Sequence, residues 1–225
     1  MKSAVICKEL LKSKNPKAKS MLVYDEFSKS VEESKVEFLS TLSSCGEDLK
    51  PVMNWLEEST FFEDPASGKY HNAFRGGLVD HSLNVYHILN EKNKLLGGLV
   101  PLRSVIISAL LHDVCKIGSY NIKESWRKDE KNRWESYRGY GYNDDPFPAG
   151  HGEKSVMLLC DKMSLTKDEM LAIRWHGGPV EDPKGYGFIN AAKTSALTLL
   201  LHTSDFEASI LLEPQGVIEW LVDKR

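Results

Sequence analysis

The chain has 225 residues and a mass of 25.4 kDa, with 41% hydrophobic, 27% charged and 9% aromatic residues. That composition excludes wholesale disorder, collagen-like repeats and coiled-coil bias. With 29 basic against 32 acidic residues the formal charge is −3, which disfavours a globally basic nucleic-acid binder and makes long-duplex DNA an unexpected partner.

The first twenty residues carry six lysines against one glutamate, with Pro16 interrupting any helix. They read as a solvated helix and a frayed segment, and Ala4 to Cys7 is too brief for a signal-peptide apolar region. Val31 to Ser59 predicts two helices split near Gly46, one striped by Val31, Phe38, Leu39 and Leu42, the other by Leu49, Val52, Met53 and Leu56. Asp64-Pro65 and Ser67-Gly68 mark a loop. After Gly76-Gly77 a helix is expected from about Val79 to Asn93, and another from Pro101 to Gly118. Ser119 to Gly150 departs from this pattern, holding seven aromatics (Tyr120, Trp126, Trp134, Tyr137, Tyr140, Tyr142 and Phe147) and few aliphatics. Ile122, Trp126, Trp134 and Tyr137 around a polar Lys128-to-Asn132 turn predict a β-hairpin, too long for an idle connection and read as a lid or packed flap. Helices follow at about His151 to Met163, and from the capping box of Thr166 and Glu169 to about Trp175. A long helix over Ala191 to Leu212, stopped by Pro214, and a short amphipathic helix at Val217 to Val222 complete the expectation. The fold class is therefore all-α with an inserted aromatic hairpin or flap over about residues 119–150. The longest apolar runs, Val105 to Leu111 and Ala196 to Leu201, are too short to span a bilayer. The four cysteines, Cys7, Cys45, Cys115 and Cys160, form no Cys-x-x-Cys pair and suit a reducing compartment, so a cytoplasmic location without a membrane partner is expected.

His81, the doublet His112-Asp113, His151, His176 and Asp205 carry the chemistry. Each lies on or at the end of a separate predicted helix, inside or beside apolar sequence. Imidazole nitrogens and carboxylate oxygens converging from different elements suit a transition-metal site without thiolates. Asp113 falls within Ala109-Leu110-Leu111-His112-Asp113-Val114, where an unpaired carboxylate is costly and a cation resolves the cost. Lys116 lies one helical turn beyond, placed to meet a phosphate oxygen or leaving group. Taken singly each residue has an ordinary structural role: a hydrogen-bonded core histidine, or an Asp113–Lys116 ion pair. His87 reads as structural, and His202, one turn before Asp205, as a residue orienting that aspartate.

Together the motifs resemble those of the HD-domain metal-dependent phosphohydrolases, over roughly Leu49 to Leu212. Tyr70-His71-Asn72-Ala73-Phe74-Arg75-Gly76-Gly77-Leu78-Val79-Asp80-His81-Ser82-Leu83 is similar to the segment leading into the first metal histidine of the HD-domain 3′→5′ exoribonuclease group. Leu110-Leu111-His112-Asp113-Val114-Cys115-Lys116-Ile117-Gly118 resembles the family's His-Asp-x-x-Lys helix, and Gly150-His151-Gly152-Glu153, Trp175-His176-Gly177-Gly178 and His202-Thr203-Ser204-Asp205 its later ligand positions. Asn72 stands where a second histidine is frequent, and Arg75 where an apolar residue is common. The resemblance implies an HD-type helical bundle over residues 49–225, with 1–48 as a helical extension packing on or flanking it. About fifty residues precede the match, short for that group's nucleic-acid-binding OB barrel and helical by pattern, so processive RNA degradation is not expected. The resemblance further implies that His81, His112, Asp113 and Asp205 hold one divalent ion and that His151 and His176 add a second, bridged by Asp113. Manganese, iron, cobalt, nickel and zinc all suit such donors. The implied reaction is hydrolysis of a phosphate ester or anhydride by a metal-activated hydroxide, with Lys116 on the phosphate.

The implied substrate is a small phosphorylated molecule, a nucleotide or short oligonucleotide. Arg75, Lys154 and Arg174 are candidate phosphate contacts, and Trp134 and Tyr137 candidate stacking surfaces for a base. A nuclease or cyclic-dinucleotide phosphodiesterase is the second reading, and a non-catalytic metal- or ligand-binding sensor the third.

Overall fold

The computed structural model describes residues 29–129, 131–143, 147–182 and 185–216; the expected N-terminal helix and the amphipathic helix at 217–222 lie outside them. The described residues form eight α-helices and one antiparallel hairpin. Helix α1 (Val31–Ser43) opens on a capping box in which Ser30 and Glu33 satisfy each other's backbone N–H groups, and α2 (Lys50–Glu58) follows the turn at Gly46. The amphipathic stripe of α1 buries Phe38 and Leu42. Phe38 meets Phe61 and Phe62 at ring-centroid distances of 5.1 and 5.5 Å, an aromatic cluster that anchors the loop leading to α3.

Helix α3 (Gly77–Leu95) starts where the glycine pair demands it. Gly76 has φ 80°, and a Cβ on Gly77 would lie 2.1 Å from the Asn72 carbonyl oxygen, so the chain before His81 turns tightly only with glycine at both positions. Helix α4 (Leu102–Leu111) is buried at every position from Ser104 to Leu111, as expected of a helix apolar on all sides. It lies between two cores. Ile106, Ile107, Leu110 and Leu111 join Phe38, Leu56, Leu78 and Leu83 in the larger one, whereas Val105 and Ala109 join Val85, Leu89, Leu197 and Leu201 in the smaller.

Helices α5 (His151–Cys160), α6 (Lys167–Arg174), α7 (Tyr186–Thr194) and α8 (Ala196–Glu207) complete the fold. The capping box at Thr166 and Glu169 forms as expected. Two helices differ from expectation. The stretch from Pro101 does not run unbroken to Gly118: it leaves helical geometry at Asp113 (φ −108°, ψ 18°) and tightens into a single turn at Val114–Lys116. Successive side chains on an intact helix diverge by about 100°, so the break is what lets His112 and Asp113 point to one place. The long helix expected over Ala191 to Leu212 is two helices, separated at Ser195 (φ −135°, ψ 116°). There the Thr194 hydroxyl bonds the Asn190 carbonyl oxygen at 2.8 Å, the local competition with the helix ladder that hydroxyl side chains offer.

The hairpin pairs β1 (Tyr120–Lys128) with β2 (Trp134–Tyr142) in continuous register, from Tyr120 opposite Tyr142 to Lys128 opposite Trp134. Most of its side chains are exposed, Trp126 and Trp134 more than 60% so. It is an arm whose base touches the loop at Gly68, not a flap packed down by its tryptophans. Alternation places Trp126, Trp134, Tyr140 and Tyr142 on one face and Tyr137 on the other, so Trp134 and Tyr137 do not form a single stacking surface. No helix among the described residues is long and apolar enough to cross a membrane.

Candidate metal centre

Four elements deliver the central donors: His81 from the first turns of α3, His112 and Asp113 from the end of α4, His176 from the turn after α6, and Asp205 from α8. His81, His112, Asp113 and His176 are buried. His81 Nε2 lies 3.2 Å from His112 Nε2, 3.2 Å from Asp205 Oδ1 and 3.6 Å from Asp113 Oδ2, and His112 Nε2 lies 3.3 Å from Asp113 Oδ2. On the other oxygen of the same carboxylate, Asp113 Oδ1 faces His176 Nε2 at 3.4 Å. His112, His176 and Asp205 form a second compact donor group beside the first.

The tautomers follow from the partners. His81 Nδ1 faces the Glu213 carboxylate at 2.9 Å, His112 Nδ1 the Ala109 carbonyl oxygen at 2.9 Å, and His176 Nδ1 the Ile173 carbonyl oxygen at 2.8 Å. These partners only accept, so each Nδ1 carries the hydrogen, and in the neutral ring each Nε2 presents a lone pair. In the neutral rings three Nε2 lone pairs would face two carboxylates, and Asp113 Oδ1 has no hydrogen-bond donor. A cation answers both facts. Metal bonds of about 2.1 Å opening at 90–110° separate their ligand atoms by about 3.0–3.4 Å, which is the scale of the spacings around His81. The residues therefore fit a divalent ion.

Protons compete for the same place. Burial disfavours charge on His81, but Glu213 and Asp205 outweigh it and raise its pKa to about 10. Burial likewise opposes charge on His176, and its contact with Asp113 raises it to about 9. His112, where burial dominates, is shifted down. Burial pushes the carboxyl pKa of Asp113 up, yet Lys116 and His112 hold it well below the ordinary range. The Lys116 ammonium contacts Asp113 Oδ2 at 2.6 Å and stays protonated despite its burial. Burial, reinforced by Asp113, pushes the Cys115 thiol up to about 12, so it supplies no thiolate and the donor set is nitrogen and oxygen.

A cavity of about 320 Å³ opens onto this cluster, lined by Asp113, Lys116, His151, His176 and Asp205 together with Tyr120. His151 is exposed at the start of α5, its Nδ1 3.7 Å from Cys115 Sγ, and it belongs to none of the compact donor groups. The other expected substrate contacts lie outside the cavity lining. Arg75 pairs with Glu63 at 2.8 Å, Arg174 with Glu153 while stacking on Trp175, and Lys154 sits over Phe147. Trp134 and Tyr137 are on the arm. His202 does not reach for Asp205: its Nδ1 donates to the His176 carbonyl oxygen at 2.8 Å, and its ring fills the space where a Cβ on Gly178 would clash at 2.3 Å. It fixes the His176 turn instead. His87 pairs with Glu37 far from the cluster, in keeping with a structural role.

Two further residues join the site without a short-range pattern that assigns them to it. Glu213 is fully buried behind His81, and His71 donates to its other oxygen at 2.5 Å. The signal for Glu213 was an acid following Ile210-Leu211-Leu212 and preceding Pro214, the context of a carboxylate turned inward. Spacing alone could not tie it to a histidine 132 positions away. The comparisons with family models, with curated proteins and with solved structures return no match for this chain.

Proposed function

We propose that the protein is a metal-dependent phosphohydrolase of the HD type, cleaving a phosphate ester or anhydride of a nucleotide or short oligonucleotide. The observation that carries this reading is the convergence of three histidine Nε2 atoms on the buried Asp113 and the partly buried Asp205 beside a lysine, at the floor of a cavity. Asp113 offers Oδ2 to the His81–His112 group and Oδ1 toward His176. That division supports two divalent ions sharing one carboxylate, drawn from manganese, iron, cobalt, nickel or zinc. When bound, such ions polarise phosphoryl oxygens and lower the pKa of a water to near neutrality. Lys116 lines the cavity from its place on Asp113 and carries the charge a phosphate oxygen needs. Tyr120, Tyr70 and Phe206 supply aromatic wall for a base. About 320 Å³ is at the small end for ligand pockets and suits one nucleotide unit.

A phosphodiesterase acting on short strands or cyclic dinucleotides is the second reading, favoured by Trp126 and Trp134, exposed on one face of an arm whose base residue, Tyr120, lines the cavity. The test is metal analysis of the purified protein, followed by a panel of mononucleotides, short oligonucleotides, cyclic dinucleotides and a chromogenic phosphodiester with added manganese, cobalt or zinc. Turnover that disappears in Asp113→Ala supports the enzyme. Full metal occupancy without turnover anywhere on the panel would replace it with a non-catalytic sensor.

A further inference from the structure

We propose that Glu213 is the positioning residue that makes His81 a metal ligand, and that residues 213–216 form a clip delivering it. The inference rests on the metal reading above and deepens it. Glu213 has no exposed side-chain surface, and each of its oxygens is occupied. Oε1 accepts from His81 Nδ1 at 2.9 Å and from Asn84 Nδ2 at 3.2 Å, while Oε2 accepts from His71 Nδ1 at 2.5 Å. Three donors from two segments hold the carboxylate against rotation, so its orientation dictates that of the His81 ring.

The clip explains how an acid beyond the last helix reaches this place. The Pro214 carbonyl oxygen accepts from Asn72 N at 3.1 Å, Gly216 N donates to the Tyr70 carbonyl oxygen at 2.7 Å, and His71 pairs with Gln215 in an isolated antiparallel bridge. The stretch so gripped, residues 70–72, is the one that turns into α3 and carries His81. Both partners of the Glu213–His81 bond are thus tied to one another by main-chain hydrogen bonds.

His71, His81 and Glu213 are close enough to suggest a separate metal site, but their spacings argue otherwise. The 2.5 Å contact of His71 Nδ1 with Oε2 is a direct hydrogen bond, shorter than the separations of about 3.0–3.4 Å that a shared ion imposes, and His81 Nδ1 lies nearer Oε1, at 2.9 Å, than Oε2, at 3.1 Å. A metal there would also take the Nδ1 that His81 spends on Glu213. The carboxylate instead keeps a hydrogen on Nδ1, so that Nε2, the nitrogen facing His112, Asp113 and Asp205, is the one that gives up its hydrogen to an ion. Loss of the carboxylate frees the ring to carry its hydrogen on Nε2, where it would block the site.

The experiment compares the full-length protein with Glu213→Gln, using competition for zinc against a chromophoric chelator and nitrogen NMR of the histidines in the zinc-loaded state. Outer carboxylates of this kind are worth about 10–100-fold in metal affinity, and that loss is expected here, together with loss of the single Nδ1–H tautomer at His81. Asn84→Ala, which removes only a donor holding Glu213, is the second variant should Glu213→Gln fail to fold, with an affinity loss of several-fold expected. A folded Glu213→Gln protein that binds zinc as the parent does and keeps the tautomer overturns the proposal and leaves the metal reading intact. A parent protein that binds no divalent ion overturns both. Lower melting temperature with unchanged zinc affinity would show a purely structural role and also overturn it.

Discussion

Replacing Asp113 by asparagine keeps the shape and removes the charge that the centre is built around. In the metal-free protein Asp113 balances Lys116, 2.6 Å away with only 14% of its side chain exposed, and faces His176. Two unit charges at that distance attract by about 6 kcal/mol at an effective dielectric constant of about 20. Desolvation offsets part of this, and breaking a buried pair by removing one partner costs about 3–5 kcal/mol. Urea unfolding of the chelator-treated protein should therefore show Asp113→Asn destabilised by about 3–5 kcal/mol. Adding Lys116→Met removes the stranded ammonium, so the double variant should regain most of that loss, a coupling that a double-mutant cycle reads directly. Metal affinity should not return with it, because the shared carboxylate is still missing. A double variant that binds divalent ions like the parent would refute the assignment of Asp113. Strictly additive stability losses would refute the ion pair.

Three further outcomes follow from the same geometry. His81 and His176, raised to about 10 and about 9 from 6.5, contribute stability that is complete below pH 6.5 and lost as pH climbs through 9 and 10. The depressed Asp113, Asp205 and Glu213 contribute stability present above the ordinary carboxyl range and lost as pH falls below it. Melting temperatures of chelator-treated protein should decline on both sides of a plateau, and a saturating metal that melts with the protein should flatten the alkaline side, since metal-bound imidazoles carry no extra proton. Gly77→Ala puts a methyl 2.1 Å from the Asn72 carbonyl oxygen. It should destabilise by about 2 kcal/mol or more by denaturant titration and weaken metal affinity, because the turn that aims His81 must shift. Trp126→Ala with Trp134→Ala removes exposed rings and should change stability by no more than about 0.5 kcal/mol. If the arm meets a base, KM for an oligonucleotide should rise several-fold while kcat on a chromogenic phosphodiester stays constant; unchanged KM would remove the arm from substrate binding.

The sequence by itself determined the helical class, the positions of most helices and the hairpin, because each is written in short-range patterns: the stripe of α1, the Thr166–Glu169 box, and the polar turn between two aromatic runs. It also marked the histidines and aspartates whose placement in apolar surroundings calls for partners. What only the tertiary structure decided is which of them meet. Helical periodicity cannot foresee the break at Asp113 that turns two successive side chains onto one point, nor the one at Ser195 that splits the last long helix. It placed His202 beside Asp205 on a shared helix face, whereas the folded chain spends that ring on the His176 turn. It left Glu213 unmarked because the bonds that bring this residue to His81 run between strand-like segments far apart in the chain. Local pattern is a property of neighbouring residues, and a binding centre is a property of distances between elements, which exist only once the cores have closed.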